Sequence, residues 1–289
     1  MLAVALSFRA VVLLVFVTVA VVTSAGAYQV ALVQHAMPRN KNVSKWLLQY
    51  SIDVASIVGQ VGTVDMVVFP EFGLISEKAM SKCGTPSTSE LGDECFTLPK
   101  INTTMCPRGN LSAAAFGSIE MLACTAAEHQ TMIAANLCER DVSGTQWNTE
   151  VVFSSLGVLV AKYRKFHPYK VKCFAKPKTL DVISFEGPAS TNETFGVFTC
   201  LDILYPEPSK TLYDRGIRHF VFSSEIPIVG REVKEVWSQK HPGAFLLASD
   251  SANGSTGVFY NGHFTPPWKT LKNIGEENGD VAYVHVVPL

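Results

Sequence analysis

Three residues of this 289-residue chain join reactive chemistry to a suitable placement. Glu71 closes the apolar segment Met66-Val67-Val68-Phe69-Pro70. Lys165 follows the apolar segment 158–163, and Cys200 closes Phe195-Gly196-Val197-Phe198-Thr199. Each segment reads as a short buried strand. In α/β sheets, side chains at the carboxyl ends of strands converge on a shared crevice. A carboxylate, an ammonium and a thiol gathered there form a self-sufficient set. The carboxylate takes the thiol proton, the thiolate attacks an amide or nitrile carbon, and the ammonium steadies the oxyanion with a backbone N–H. Singly, each residue has a plainer reading. A strand-end Glu is usually solvated or a cap, Lys165 is one lysine among many, and a Cys in an apolar strand is normally a small core residue.

The elements that must position these groups alternate between helix and strand. From Asn42, a cap-type residue, apolar side chains at Trp46, Leu47, Tyr50, Val54, Ile57, Val58 and Val61 recur at helical spacing. That helix feeds the strand ending at Glu71. A Cys- and Ser-rich loop over 76–110 leads to a second helix at 111–129 and a strand at 131–136. Strands at 150–155 and 158–163 read as a hairpin turning at Leu156-Gly157. Further strands are expected at 195–199, 219–223, 244–249, 257–261 and 281–287, with helices at 207–215 and 231–239. No repeat, low-complexity tract or linker interrupts the pattern, so a single α/β domain with a few antiparallel pairs is expected.

The first segment is set apart from the fold. A lone Arg9 precedes an apolar run over 10–22, which ends in Thr23-Ser24-Ala25-Gly26-Ala27, a small-x-small exit. The run is short for a membrane span, and the pattern reads as a signal peptide over 1–27 with the mature domain over 28–289. Sequons stand at Asn42, Asn102, Asn110, Asn192 and Asn253, five in a chain with an export signal, which predicts a secreted glycoprotein. Seven cysteines in an oxidising compartment leave at least one thiol unpaired. Five of them lie between Cys83 and Cys138, so disulfides are expected to staple that region. Net charge is −1 with 17 % charged residues, which gives no reason to expect nucleic acid or an anionic membrane as partner. The seven histidines show no paired ligand spacing, and no metal is expected. His167, close to Lys165, reads as a packed structural histidine.

The segments Val67-Val68-Phe69-Pro70-Glu71-Phe72-Gly73, Ala161-Lys162-Tyr163-Arg164-Lys165 and 196–207 around Cys200-Leu201-Asp202 resemble the nitrilase superfamily in order and spacing. Tyr28-Gln29-Val30-Ala31-Leu32-Val33-Gln34-His35-Ala36 and Gln146-Trp147-Asn148-Thr149-Glu150-Val151-Val152-Phe153 are most similar to its pantetheinase (vanin) and biotinidase branch. The resemblance implies a four-layer α-β-β-α sandwich, no organic cofactor, and a Glu71–Lys165–Cys200 triad hydrolysing small linear amides through an acyl-thioester. It implies an oxyanion held by Lys165 and the backbone N–H of Leu201. Cys200 should then stay unpaired, leaving six cysteines for up to three bridges.

The chain departs from the family in places. Alignment around 167–177 puts Val171 where the family carries a second glutamate, and Val neither holds an ammonium nor accepts a proton. Phe222-Ser223-Ser224-Glu225-Ile226-Pro227 replaces a Phe-Pro-Thr-Ala-Trp type pocket segment, so Glu225 is expected to face the substrate. The second, β-rich C-terminal domain of that branch is not expected here. An amidohydrolase is thus the leading reading, and a weakened relative acting as an extracellular binding protein is the alternative.

Overall fold

Residues 66–68 show why the strands form where they do: all three side chains, Met-Val-Val, are buried, so the segment needs cover on both faces. The computed structural model describes residues 26–35, 43–76, 80, 94–106, 118–169, 173–251, 255–274 and 280–289. In chain order the elements are β1 (Ala27–Gln34), α1 (Val43–Val61), β2 (Met66–Val68), β3 (Cys95–Phe96), α2 (Glu120–Glu128), β4 (Met132–Arg140), β5 (Gln146–Phe153), β6 (Leu159–Arg164), β7 (Ser184–Glu186) and β8 (Thr194–Thr199). A 3-10 turn (Cys200–Leu204) follows, then α3 (Ser209–Asp214), β9 (His219–Ser224), α4 (Gly230–Lys240), β10 (Phe245–Asp250), β11 (Gly257–Tyr260), β12 (His263–Thr265), β13 (Lys269–Lys272) and β14 (Val281–Pro288).

The strands form two sheets. One runs β13-β14-β1-β2-β4-β5-β6, with β3 beside β4; the other runs β12-β11-β10-β9-β8-β7. Parallel pairs β1–β2–β4 and β8–β9–β10 form the centres, and α1, α3 and α4 lie in the crossovers. The sheets meet face to face through Val30, Leu32, Val68 and Ala134 on one side and Val197, Phe220, Phe222 and Leu246 on the other. Helices α1 and α2 cover the outer face of the first sheet through Tyr50, Val54, Ile57, Leu122 and Ala126. Leu212 of α3 and Trp237 of α4 cover the second, the indole centroid 5.4 Å from Phe198 and 5.0 Å from Phe220. The order helix, sheet, sheet, helix is the four-layer sandwich that the family resemblance implies.

Several boundaries differ. The helix expected at 111–129 is present as Glu120–Glu128, and 111–117 lie outside the described residues. Strand β4 continues past Asn136 to Arg140 because its polar residues find partners: Asn136 donates to Asn148 at 2.8 Å, and Glu139 pairs with Arg164 at 2.8 Å. Cys95–Cys138 joins β3 to β4, Cys106–Cys124 fastens the preceding loop to α2, and Cys173 is also disulfide-bonded. Cys200 is the free cysteine among the described residues. Of the sequon asparagines, Asn102 and Asn192 are exposed, while 42, 110 and 253 lie outside the described residues, as does Val171.

Candidate active site

The three strand-end residues meet at one end of the sandwich. Glu71 follows β2 and Lys165 follows β6, both in the first sheet, while Cys200 follows β8 in the second. Glu71 and Lys165 are each 1 % exposed and Cys200 is 7 % exposed. Lys165 Nζ donates to Glu71 Oε1 at 2.5 Å, and Asn148 Nδ2 donates to the same oxygen at 2.8 Å. Asn148 is itself held by Asn136, whose Oδ1 accepts the Phe72 amide at 3.0 Å. These bonds leave Glu71 Oε2 as the carboxylate oxygen open to the thiol.

The backbone of Cys200 is strained to present its sulfur. Thr199 is extended and Cys200 turns to φ 46°, a left-handed conformation that costs an ordinary side chain about 1–2 kcal/mol. Asp202 holds this turn. Its carboxylate accepts from Thr199 N at 3.3 Å, Tyr163 Oη at 2.8 Å and His167 N at 2.9 Å, tying the Cys200 turn to the end of β6 where Lys165 lies. His167 Nδ1 also bonds Asp202, at 2.8 Å, and its ring stacks on Tyr205 at 3.7 Å, a packed histidine as expected.

Burial sets the electrostatics. It pushes the Cys200 thiol well above its ordinary value, the Glu71 carboxylate adds to the push, and Lys165 works against it. Burial also opposes the Lys165 ammonium, yet the negative charge of a Cys200 thiolate and of Glu71 outweighs it and raises the Lys165 pKa. The resting pair is therefore thiol and ammonium.

Glu150, one strand in from Lys165, is a second buried carboxyl, 1 % exposed. The Ser223 hydroxyl lies 2.7 Å from both Glu150 Oε1 and the Phe69 carbonyl. One hydroxyl proton cannot serve both acceptors. A protonated Glu150 donating to Ser223, which donates to Phe69, satisfies them all. Burial is the main force raising this carboxyl to about 8.

A cavity of about 350 Å³ opens over the sulfur, lined by Glu71, Phe72, Tyr169, Leu201 and Glu225 with an apolar wall of Ile226, Pro227, Val229 and Val233. Leu201 and Glu225 both line this cavity. The Glu225 carbonyl also accepts from Cys200 Sγ at 3.7 Å. Behind this wall Lys234, fully buried, donates to Asp250, and Asp250 Oδ1 accepts from the Ile226 amide at 3.2 Å. A larger hollow of about 720 Å³ between the Cys200 turn and α4 is lined by Tyr205, Lys210, Trp237 and His241 and does not include Cys200. Sequence reading missed Asn136, Asn148, Glu150 and Asp250. Their signal was a polar residue inside an otherwise apolar strand, which is costly unless bonded.

The comparisons with known proteins agree with this geometry. The carbon-nitrogen hydrolase family profile matches residues 29–244. Mouse biotinidase is 31 % identical over 166 residues, covering 51 % of this chain and 31 % of that protein. Vanin-like protein 3 of Drosophila melanogaster is 26 % identical over 219 residues, 70 % of this chain and 39 % of that one. Human pantetheinase is 33 % identical over 129 residues, 39 % and 24 % of the two chains. The chain thus spans about a third of the length of the curated relatives it matches. Among solved structures, Saccharomyces cerevisiae Nit3, a member of branch 10 of the nitrilase superfamily, superposes with a TM-score of 0.66 at 16 % identity, covering 90 % of both chains. An amidase from Nesterenkonia gives 0.64 at 15 % identity, covering 91 % of both. The fold is that of the nitrilase superfamily, and the chain belongs to the carbon-nitrogen hydrolase family.

Proposed function

We propose that this chain is a secreted amidohydrolase that cleaves carbon–nitrogen bonds of small linear amides, pantetheine-like substrates before biotin amides, with Cys200 as nucleophile. The observation that carries the reading is the free, strained Cys200 beside a buried Glu71–Lys165 pair under an open cavity. Glu71 accepts the thiol proton as Sγ bonds to the amide carbon. Lys165 and the Leu201 N–H bind the oxyanion. The tetrahedral adduct collapses with cleavage of the C–N bond, and Glu71 returns the proton to the departing amine. Water then gives a proton to Glu71 as its oxygen attacks the thioester carbon, and the S–C bond breaks with the proton passing to sulfur. Disulfides Cys95–Cys138 and Cys106–Cys124 support export, and Asn102 and Asn192 stand exposed for glycan attachment.

A glutamate-to-glutamine mutant of the Nesterenkonia amidase shows covalent addition of the acetamide moiety of fluoroacetamide at its active-site cysteine. The same probe followed by intact mass spectrometry tests this chain. An adduct mapped to Cys200 and absent from Cys200→Ala is expected. An unlabelled Cys200, together with turnover unchanged in Cys200→Ala, overturns the proposal. Faster turnover in Val171→Glu would instead favour the weakened relative.

A further inference from the structure

Behind the Glu71 turn, on the far side from the cavity, three residues distant in sequence come together. His35 follows β1, Asp53 lies in α1 and Asp280 precedes β14. They are 2 %, 0 % and 7 % exposed, and one ligand-type atom from each lies within 4.8 Å of the others. His35 Nε2 is engaged with the Tyr50 hydroxyl at 2.9 Å, and Gln49 donates to Asp53 Oδ1 at 2.9 Å. The second polar atom of each, His35 Nδ1 and Asp53 Oδ2, has no hydrogen-bond partner. A buried polar atom left bare costs about 1–3 kcal/mol. Two such atoms beside a third potential ligand point to a shared occupant.

Three occupants are chemically reasonable: a proton, a water molecule or a cation. A proton placed on Asp53 serves one oxygen and leaves His35 Nδ1 bare. A water bridges the atoms but leaves carboxylate charge in a dry pocket, an unfavourable arrangement. A divalent ion serves every bare atom and neutralises charge. One imidazole nitrogen with two carboxylate oxygens is a borderline donor set, which suits zinc-like ions better than calcium or magnesium. We propose that His35, Asp53 and Asp280 form a buried structural site for a divalent transition-metal ion of the zinc class. The sequence offered no sign of it, because the ligands come from three separate elements rather than a spaced motif.

The site braces the segment that carries Glu71. Tyr50, bonded to His35, stacks on Phe69 with centroids 3.7 Å apart and planes 9° apart. Gly73 packs so closely on this pair that a Cβ there would lie 1.7 Å from Tyr50 Oη and 2.7 Å from His35 Nε2. The ion ties β1, α1 and the approach to β14 to the Phe69–Gly73 segment. It takes no part in the chemistry at Cys200, and this inference does not depend on the amidase reading.

The test uses the full glycosylated chain carrying Cys200→Ala, so that the thiol cannot capture metal. Elemental analysis of the purified protein should find about one equivalent of zinc or a similar ion. Chelation should lower Tm by about 5 °C or more, and added Zn²⁺ or Co²⁺ should restore it. Co²⁺ should give visible absorption that is lost in His35→Gln and Asp53→Asn. If the protein carries no stoichiometric metal, and neither chelator nor Zn²⁺ moves Tm, the proposal is overturned and the cluster holds water or a shared proton. Should both variants fail to fold, the metal content and Co²⁺ spectrum of the His35- and Asp53-intact chain still decide it.

Discussion

Replacing Glu150 by Gln should flatten part of the dependence of stability on pH. The Glu150 carboxyl is raised from 4.5 to about 8, chiefly by burial. Below pH 4.5 it is protonated in both folded and unfolded chains and contributes nothing to the slope. Between pH 4.5 and 8 the unfolded chain has released this proton while the folded chain keeps it. The unfolded state then binds fewer protons, so stability falls as pH rises across that window and levels off above it. At about 1.4 kcal/mol per unit, the loss is roughly 3 kcal/mol by pH 7 and roughly 5 kcal/mol by pH 8.5. Gln keeps a hydrogen-bonding side chain for Ser223 without the titration. The Tm of Glu150→Gln minus that of the wild type should therefore grow by about 6–12 °C between pH 4.5 and 7. Circular dichroism melts at four or five pH values suffice. A difference that stays flat across the range refutes the neutral Glu150 and the Glu150–Ser223–Phe69 proton chain inferred from it.

Alkylation of Cys200 by iodoacetamide should be slow at neutral pH and keep accelerating past pH 9, because burial and then Glu71 raise the thiol. A rate already level at pH 7, read by mass spectrometry, contradicts that environment. Gly73→Ala should lower Tm markedly, since its Cβ meets the Tyr50 hydroxyl at 1.7 Å, and Tyr50→Phe should recover part of the loss by removing that oxygen. A single variant as stable as the wild type counts against the contact. Removing Cys106–Cys124, which closes a separation of 18 residues, should cost about 3 kcal/mol in denaturant unfolding by loop-closure entropy.

Much of the fold was legible because it rests on local periodicity. The apolar stripe over 46–61 gave α1, and the observed helix runs Val43–Val61. Apolar segments ending in Glu71, Lys165 and Cys200 mark three strand ends, and the rule that such ends converge places their side chains at one crevice. The hairpin at Leu156-Gly157 was equally plain, with Gly157 at φ 70° against the Ala123 carbonyl. What stayed hidden depends on partners far along the chain. Asn148 and Asn136 matter through the bonds they make to Glu71 and Phe72, and Asp202 through three bonds to the end of β6 and one to Thr199. The two-residue strand β3 is set by register opposite Cys138, where the disulfide lies, rather than by propensity. His35, Asp53 and Asp280 carry no mutual spacing signal at all.

The placement of Cys200 on one sheet, and of Glu71 and Lys165 on the other, has a dynamic consequence. These side chains face each other across the seam between the two sheets, so their spacing measures how those sheets are docked. Interiors pack like molecular crystals and do not slide by fractions of an ångström without losing fit. A state that keeps its strands but loosens the seam, as acid or mild denaturant produces in many proteins, would retain its backbone signature while Cys200 drifts from Glu71. On the proposed amidase reading, turnover would gauge docking between the two halves. It should vanish on warming before either half has melted.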